Sequence, residues 1–232
     1  MVVGTIVPDM ARAVPPRFAL IWDGRPIWWD GHAWGQALTG GLVVGLLLTW
    51  SARRLVLPRL AGYLPDLGQF HLRDLRLLGR TRHPWWIVVL CLAIGSITHL
   101  LIDLVGHTDR GVVLPGLAVH LFDIAGRDVK VATVLQVLAS VGLSVFTVWE
   151  MYDIGRRRLI SRWSGVEVPV PALTPSNRFA VRAVVVVAAG FSGLVGLTRV
   201  SITPAVGLMT SVVVGWVALC VIAAFVRPAS DA

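Results

Sequence analysis

Three residues able to do chemistry sit in a long apolar stretch of this chain. They are His99, Asp103 and His107, at the end of the stretch WWIVVLCLAIGSITHLLIDLVGH that runs from Trp85 to His107. A helix needs about 20 residues to cross a bilayer, and this stretch is long and apolar enough to do so. An acidic side chain at the centre of such a helix costs roughly 2.5–3.5 kcal/mol on insertion scales. Residues of that kind usually face protein or water and are candidates for function. His99 and Asp103 are four apart, which puts them on one helical face. His107 follows Gly106, where the helix is expected to end, so it can fold back toward the same spot. Imidazoles and carboxylates gathered in this way suit a metal ion or acid–base work. The competing reading is that they only hydrogen-bond to neighbouring helices.

Composition places these residues in a membrane. Of 232 residues, 56% are hydrophobic and 15% are charged, against about 25% charged in an average soluble domain. The mean hydropathy is +0.75. A net charge of +8 would suit nucleic acid, but the arginines collect in two loops between apolar spans, as the positive-inside rule arranges them. A nucleic-acid partner is therefore set aside. Cys91 and Cys220 fall inside apolar spans and read as small fillers.

The elements that must position the polar groups follow from the apolar runs. The expected fold is all-α, a polytopic transmembrane bundle of about five spans at residues 33–50, 85–106, 131–149, 179–197 and 204–226. Residues 1–232 then form one integral membrane domain. Met1–Met10, MVVGTIVPDM, reads as the tail of a truncated first helix, with Asp9 on an extended turn just outside it, because it follows Pro8. Residues 11–32 mix charge with Trp22, Trp28 and Trp29 and suit a surface loop. His32 stands at the entrance of the first span, which Arg53 and Arg54 should stop. Gly40, Gly41 and Gly45, and again Gly190, Gly193 and Gly196, would let helices approach closely.

The Arg-rich loops are expected at 51–84 and 154–178. Within the first, FHLRDLRLLGR could lie on anionic lipid as a basic amphipathic helix. His71 and His83 there read as ordinary surface residues. The loop 108–130 has a middle, VVLPGLAVHLFDI, too short to span, which should dip into the interface; His120 in it is a weak candidate. Gln136 and Ser140 suit an interhelical bond. Arg156, Arg157 and Arg158 with Glu150 and Asp153 read as a solvated charge cluster, and Arg182 should snorkel to the surface.

Placing both Arg-rich loops in the cytoplasm puts 1–32 and 108–130 outside and the C-terminus inside. Asp9, His32 and His107 then share the outer face. Asp103 sits roughly 6 Å below His107 and His99 roughly 12 Å below it, at 1.5 Å per residue. Five groups of metal-ligand type thus converge on one side, a result the arginine argument did not assume. Two imidazoles with two carboxylates suit Zn²⁺, or Mn²⁺ or Fe²⁺. One ion cannot reach both His99 and His107 on a straight helix, so one of these would be an outer partner or an acid/base. No glycine-rich phosphate loop, cysteine ligand set or serine elbow is present.

Three segments together, GTIVPDM, then DGHAWG, then GSITHLLIDLVGH, resemble the bacterial multi-spanning membrane proteins of domain-of-unknown-function family 4184. That family is similar, more distantly, to membrane-bound metal-dependent hydrolases. The resemblance covers Val2–Trp149. It implies that Asp9, His32, His99 and Asp103 are the shared polar positions and metal ligands, with His107 close behind as acid/base or outer partner. It also implies an earlier helix preceded by a histidine, which this chain starts after. The family tends to carry a histidine after a glutamine in the span following the outer loop; here Gln136 is followed by Val137.

The leading expectation is a bacterial inner-membrane protein with a divalent metal, zinc first, at its outer face. It would be hydrolytic, with a lipid-linked or amphiphilic substrate drawn from the surrounding membrane lipids. A transporter or channel component using a His/Asp relay is the second reading, although the apolar run WWIVVLCLAI gives such a relay no inward continuation. A non-catalytic scaffold is the third.

Overall fold

A computed structural model describes residues 2–11, 20–22, 25–27, 32–65, 67–80, 83–106, 118–124, 127–165, 175–198 and 204–226. The fold is an all-α bundle, and among the described residues five helices are long and apolar enough to cross a membrane: Trp34–Tyr63, Trp85–Leu104, Val131–Arg156, Phe179–Leu197 and Val206–Phe225. These agree with the expected spans, except that the first and third run further.

The helical elements are α1 (Val2–Met10), α2 (Trp34–Ala37), α3 (Gly40–Ser51), α4 (Leu57–Leu60), α5 (Trp85–Gly106), α6 (Val131–Arg156), α7 (Leu159–Ser164), α8 (Pro175–Leu197) and α9 (Pro204–Phe225). Two antiparallel hairpins punctuate them. Strands β1 (Leu20–Trp22) and β2 (Arg25–Ile27) pair Leu20 with Ile27. Strands β3 (His120–Ile124) and β4 (Arg127–Lys130) pair His120 with Lys130 and Asp123 with Asp128, with an irregularity between His120 and Phe122. Part of the loop expected to dip into the interface is therefore this second hairpin.

Arg53 and Arg54 do not end the first helix. A π-helical turn, Ala52–Val56, carries it from α3 into α4 and on to Tyr63. Arginine is a good helix former, so it can end a helix's contact with lipid without ending the helix. The region 51–84 is accordingly a packed helical layer and not an open loop. Its 3-10 segment Leu72–Gly79 is amphipathic as expected, but Leu77 turns inward onto Ile160 of α7, with Leu75, Leu78 and Ile154 around them. Protein therefore covers Leu77 on that apolar face. In the same way the expected loop 154–178 begins with the end of α6 and with α7.

Helices α8 and α9 are antiparallel. A Cβ on Gly196 would press on Ser211 and on the Gly207 carbonyl, while Gly190 and Gly193 face open space. Of that expected glycine seam only Gly196 makes a close approach. The core between α9 and the π-helical turn holds Val56, Leu60 and Ala223, and Trp216 Nε1 donates to Ser51 Oγ at 3.2 Å. Arg182 Nε donates to the Tyr63 carbonyl at 2.8 Å, tying α8 to this layer. The expected interhelical bond of Ser140 is instead made within α6, to the carbonyl of Gln136 at 2.8 Å, as helical serines often do. Apolar side chains such as Val145, Val186 and Val187 point outward, as they do on helices that cross a membrane.

The expected solvated cluster at 156–158 is divided. Arg156 and Arg157 pair with Asp153 at 3.1 and 2.9 Å. Arg158 instead turns inward to the buried Asp74, with Nε 2.8 Å from Oδ2 and Nη2 donating to Oδ1 at 3.1 Å. Ser161 Oγ donates to the same carboxylate at 2.7 Å. His71 Nδ1 lies 3.3 Å from Arg158 Nη1. His71 and Arg158 both have positive φ, 45° and 52°, an uncommon conformation for side chains of this size. His71 therefore belongs to an internal network joining the 72–79 segment to α7.

Candidate metal centre

The site begins with how α1 meets α5. Pro8 lies inside α1, and a proline leaves the carbonyl four residues earlier without its helical donor. That carbonyl belongs to Gly4, and Ser96 Oγ of α5 donates to it at 3.1 Å in a buried contact. The gap in one helix is thus closed by a hydroxyl from another. Gly4 itself lets the backbones meet. A Cβ there would overlap the Leu92 carbonyl oxygen and lie 3.0 Å from Leu92 Cα and 3.1 Å from Gly95 Cα. Gly45 of α3 packs on the Leu92 side chain, at 3.0 Å from where its Cβ would be, and Val7 of α1 is 3.5 Å away. Three helices therefore close on one another where small residues coincide, as in other membrane bundles.

Asp9 is in the last turn of α1, inside the helix and not beyond it as expected. Pro8 is fully buried, and its missing donor is compensated, so the helix continues through it. His32 lies two residues before the short α2, and His99 and Asp103 sit one turn apart on α5.

These four side chains converge. His32 Nε2 is 3.3 Å from Asp9 Oδ1 and 3.1 Å from Asp103 Oδ2. His99 Nε2 is 3.8 Å from Asp9 Oδ2 and 3.7 Å from Asp103 Oδ2. The two imidazole rings are 5.6 Å apart, centroid to centroid, and tilted at 54°. Asp9, His32 and His99 each offer a ligand atom within 4.8 Å of the other two, and Asp103 adjoins both imidazoles. Side-chain exposure rises from 7% at His32 through 13% at Asp103 and 15% at His99 to 27% at Asp9. The cluster is thus most open on the Asp9 side.

The separations can be set against both a hydrogen-bonded cluster and a metal pocket. N–H···O bonds fall at about 2.7–3.2 Å. Only the 3.1 Å contact is that short; the other three are longer. A tetrahedral ion with bonds of about 2.0–2.2 Å holds its ligand atoms roughly 3.3–3.6 Å apart, which is the centre of the observed spread. His99 Nε2 is sealed from solvent and makes no hydrogen bond, a costly state for a ring nitrogen unless something occupies the space before it. Two nitrogens and two carboxylates are the donor set that zinc, manganese and iron accept. The residues present fit a divalent transition ion.

His107 lies outside the described residues. His120 is not part of this site. With Asp123 and Asp128 it forms a second group of suitable type on the exposed hairpin, where His120 Nδ1 already bonds Asp128 Oδ1 at 2.5 Å and Lys130 stands 3.8 Å from Oδ2. His83 is exposed and remote from the four. Gly4 and Ser96, which position the site, carried a faint sequence signal: a serine and a glycine side by side in an otherwise large apolar run, GSITH, and a glycine four residues before a proline.

No curated protein and no solved structure matches the chain. The family model for a domain of unknown function, DUF4184, matches residues 1–229. That match covers nearly all of its 232 residues, and the chain belongs to the DUF4184 family.

Proposed function

We propose that this protein is a metal-dependent hydrolase of the bacterial inner membrane, with Asp9, His32, His99 and Asp103 as the metal-binding side chains and zinc as the first candidate. The observation that carries the reading is the meeting of two imidazole nitrogens and two carboxylates from three separate segments at 3.1–3.8 Å. Bound there, a divalent ion supplies Lewis-acid polarisation of a carbonyl or phosphoryl oxygen. Asp9, on the more open side, meets incoming substrate first. Asp103 Oδ2 lies 3.1 Å from His32 Nε2 and 3.7 Å from His99 Nε2, so it would face the same ion as the two imidazoles. His107, four residues beyond Asp103, is proposed from its sequence position as the acid–base group. The arginine distribution favours an outer-face site and a cytoplasmic C-terminus, and a site inside a lipid-facing bundle favours a lipid-linked or amphiphilic substrate.

The test is elemental analysis of folded full-length protein, followed by zinc titration after chelation. About one ion per chain is expected, and His99→Ala or Asp103→Ala should abolish retention. Folded protein that neither retains an ion nor takes up micromolar zinc defeats the proposal.

A further inference from the structure

At the other end of α5 the bundle carries a cavity of about 550 Å³, within the range of small-ligand sites. Arg53, Arg54 and His83 supply its polar wall, and Leu46, Trp50 and Trp85 its apolar one. The distance from Trp85 to His99 along the helix is about 21 Å at 1.5 Å per residue, so this cavity and the His/Asp cluster lie at opposite ends. We infer that it is a binding site for the headgroup and upper acyl chain of an anionic phospholipid.

The cavity is held in shape from behind. Arg53 Nε donates to the Leu78 carbonyl at 3.3 Å. Gly79 allows the 72–79 segment to press on this turn, since a Cβ there would lie 2.7 Å from the Arg53 carbonyl oxygen and 2.9 Å from Pro58 Cγ. Leu46, Trp50, Arg53 and Arg54 follow at helical spacing along one continuous helix and so share a face. Two adjacent guanidinium groups repel each other, and among the described residues no carboxylate lines the cavity. Arg54 is exposed and makes no hydrogen bond or ion pair among the described residues. The site is therefore complementary to a phosphodiester.

A free phosphate would answer the arginines and leave the apolar wall uncovered. Trp50 is 62% exposed and Trp85 76%, and such indoles at the end of a span belong at the lipid headgroup level. A phospholipid covers both walls at once, phosphate on the guanidiniums and chain along Leu46 and the two indoles.

The test uses native mass spectrometry of the full-length protein with phosphatidylglycerol, phosphatidylcholine of the same chains, and inorganic phosphate as competitor. Phosphatidylglycerol should be retained preferentially. Arg54→Gln should cut that retention about fivefold, the effect of one basic residue on anionic lipid. Arg156→Gln, exposed and paired with Asp153 elsewhere, should leave it unchanged. Thr49→Trp, which fills the cavity with the arginines intact, should also abolish the preference. Equal retention of the two lipids, equal losses in Arg54→Gln and Arg156→Gln, or displacement of the lipid by millimolar phosphate would each overturn the assignment. None of these outcomes bears on the metal, so the two proposals fail separately.

Discussion

Gly4→Ala is the smallest change that should reach the candidate metal centre without touching it. The added methyl would overlap the Leu92 carbonyl oxygen and sit 3.0 and 3.1 Å from the Leu92 and Gly95 Cα atoms. Carbon–carbon contacts are comfortable at about 3.5–4.0 Å, so α1 must retreat from α5 by roughly 0.5–1 Å. Asp9 rides on α1 and His99 on α5. Their present 3.8 Å separation would open to about 4.3–4.8 Å. A tetrahedral ion with bonds of about 2.2 Å holds two ligand atoms roughly 3.6 Å apart, so Asp9 and His99 could no longer share it without strain. Overpacking of this kind costs about 1–3 kcal/mol, and that strain, carried by the zinc-bound geometry, weakens zinc affinity by roughly 5- to 150-fold. The control is Gly142→Ala on α6, where a Cβ meets nothing within 4 Å and where alanine should if anything favour the helix. Zinc titration of both variants, with thermal unfolding alongside, reads the difference. Equal zinc affinity in Gly4→Ala, Gly142→Ala and the parent would refute the claim that the α1–α5 contact sets the site.

Three further outcomes are expected. Ser96→Ala should leave the Gly4 carbonyl buried without its donor and lower stability by about 1 kcal/mol, the scale of a hydrogen bond between membrane helices; unchanged thermal unfolding would show that the bond carries no weight. Arg158→Ala should destabilise by about 2–3 kcal/mol, below the full cost of breaking a buried pair because Arg158 is partly exposed, and Asp74→Asn added to it should recover part of the loss in chemical unfolding. Gly155→Ala should loosen α6 from the turn at Gly68–Phe70, because a Cβ would lie 2.5 Å from the Gln69 carbonyl oxygen; faster proteolysis within residues 64–80 is the readout.

What the sequence by itself determined is what lipid imposes. A spanning helix needs a certain length of apolar side chains whatever its neighbours, so the five spans stand near their expected positions. The spacing His-x-x-x-Asp placed His99 and Asp103 on one face for the same local reason. The arginine distribution put Asp9 and His32 at the same end, and both side chains meet that face. Tertiary structure decided the rest. Pro8 pointed to Asp9 lying on a turn outside the helix, but the helix continues and Ser96, 92 positions from Gly4, supplies the missing donor; no local rule contains that partner. Arg53 and Arg54 looked like the end of a helix, yet packing against α9 and the 72–79 segment carries it through a π-helical turn. Arg158 looked solvated like its two neighbours until the backbone, left-handed at that residue, turned it inward onto Asp74. In each case the deciding energy is a contact between segments far apart in the chain, and only the folded bundle brings them together.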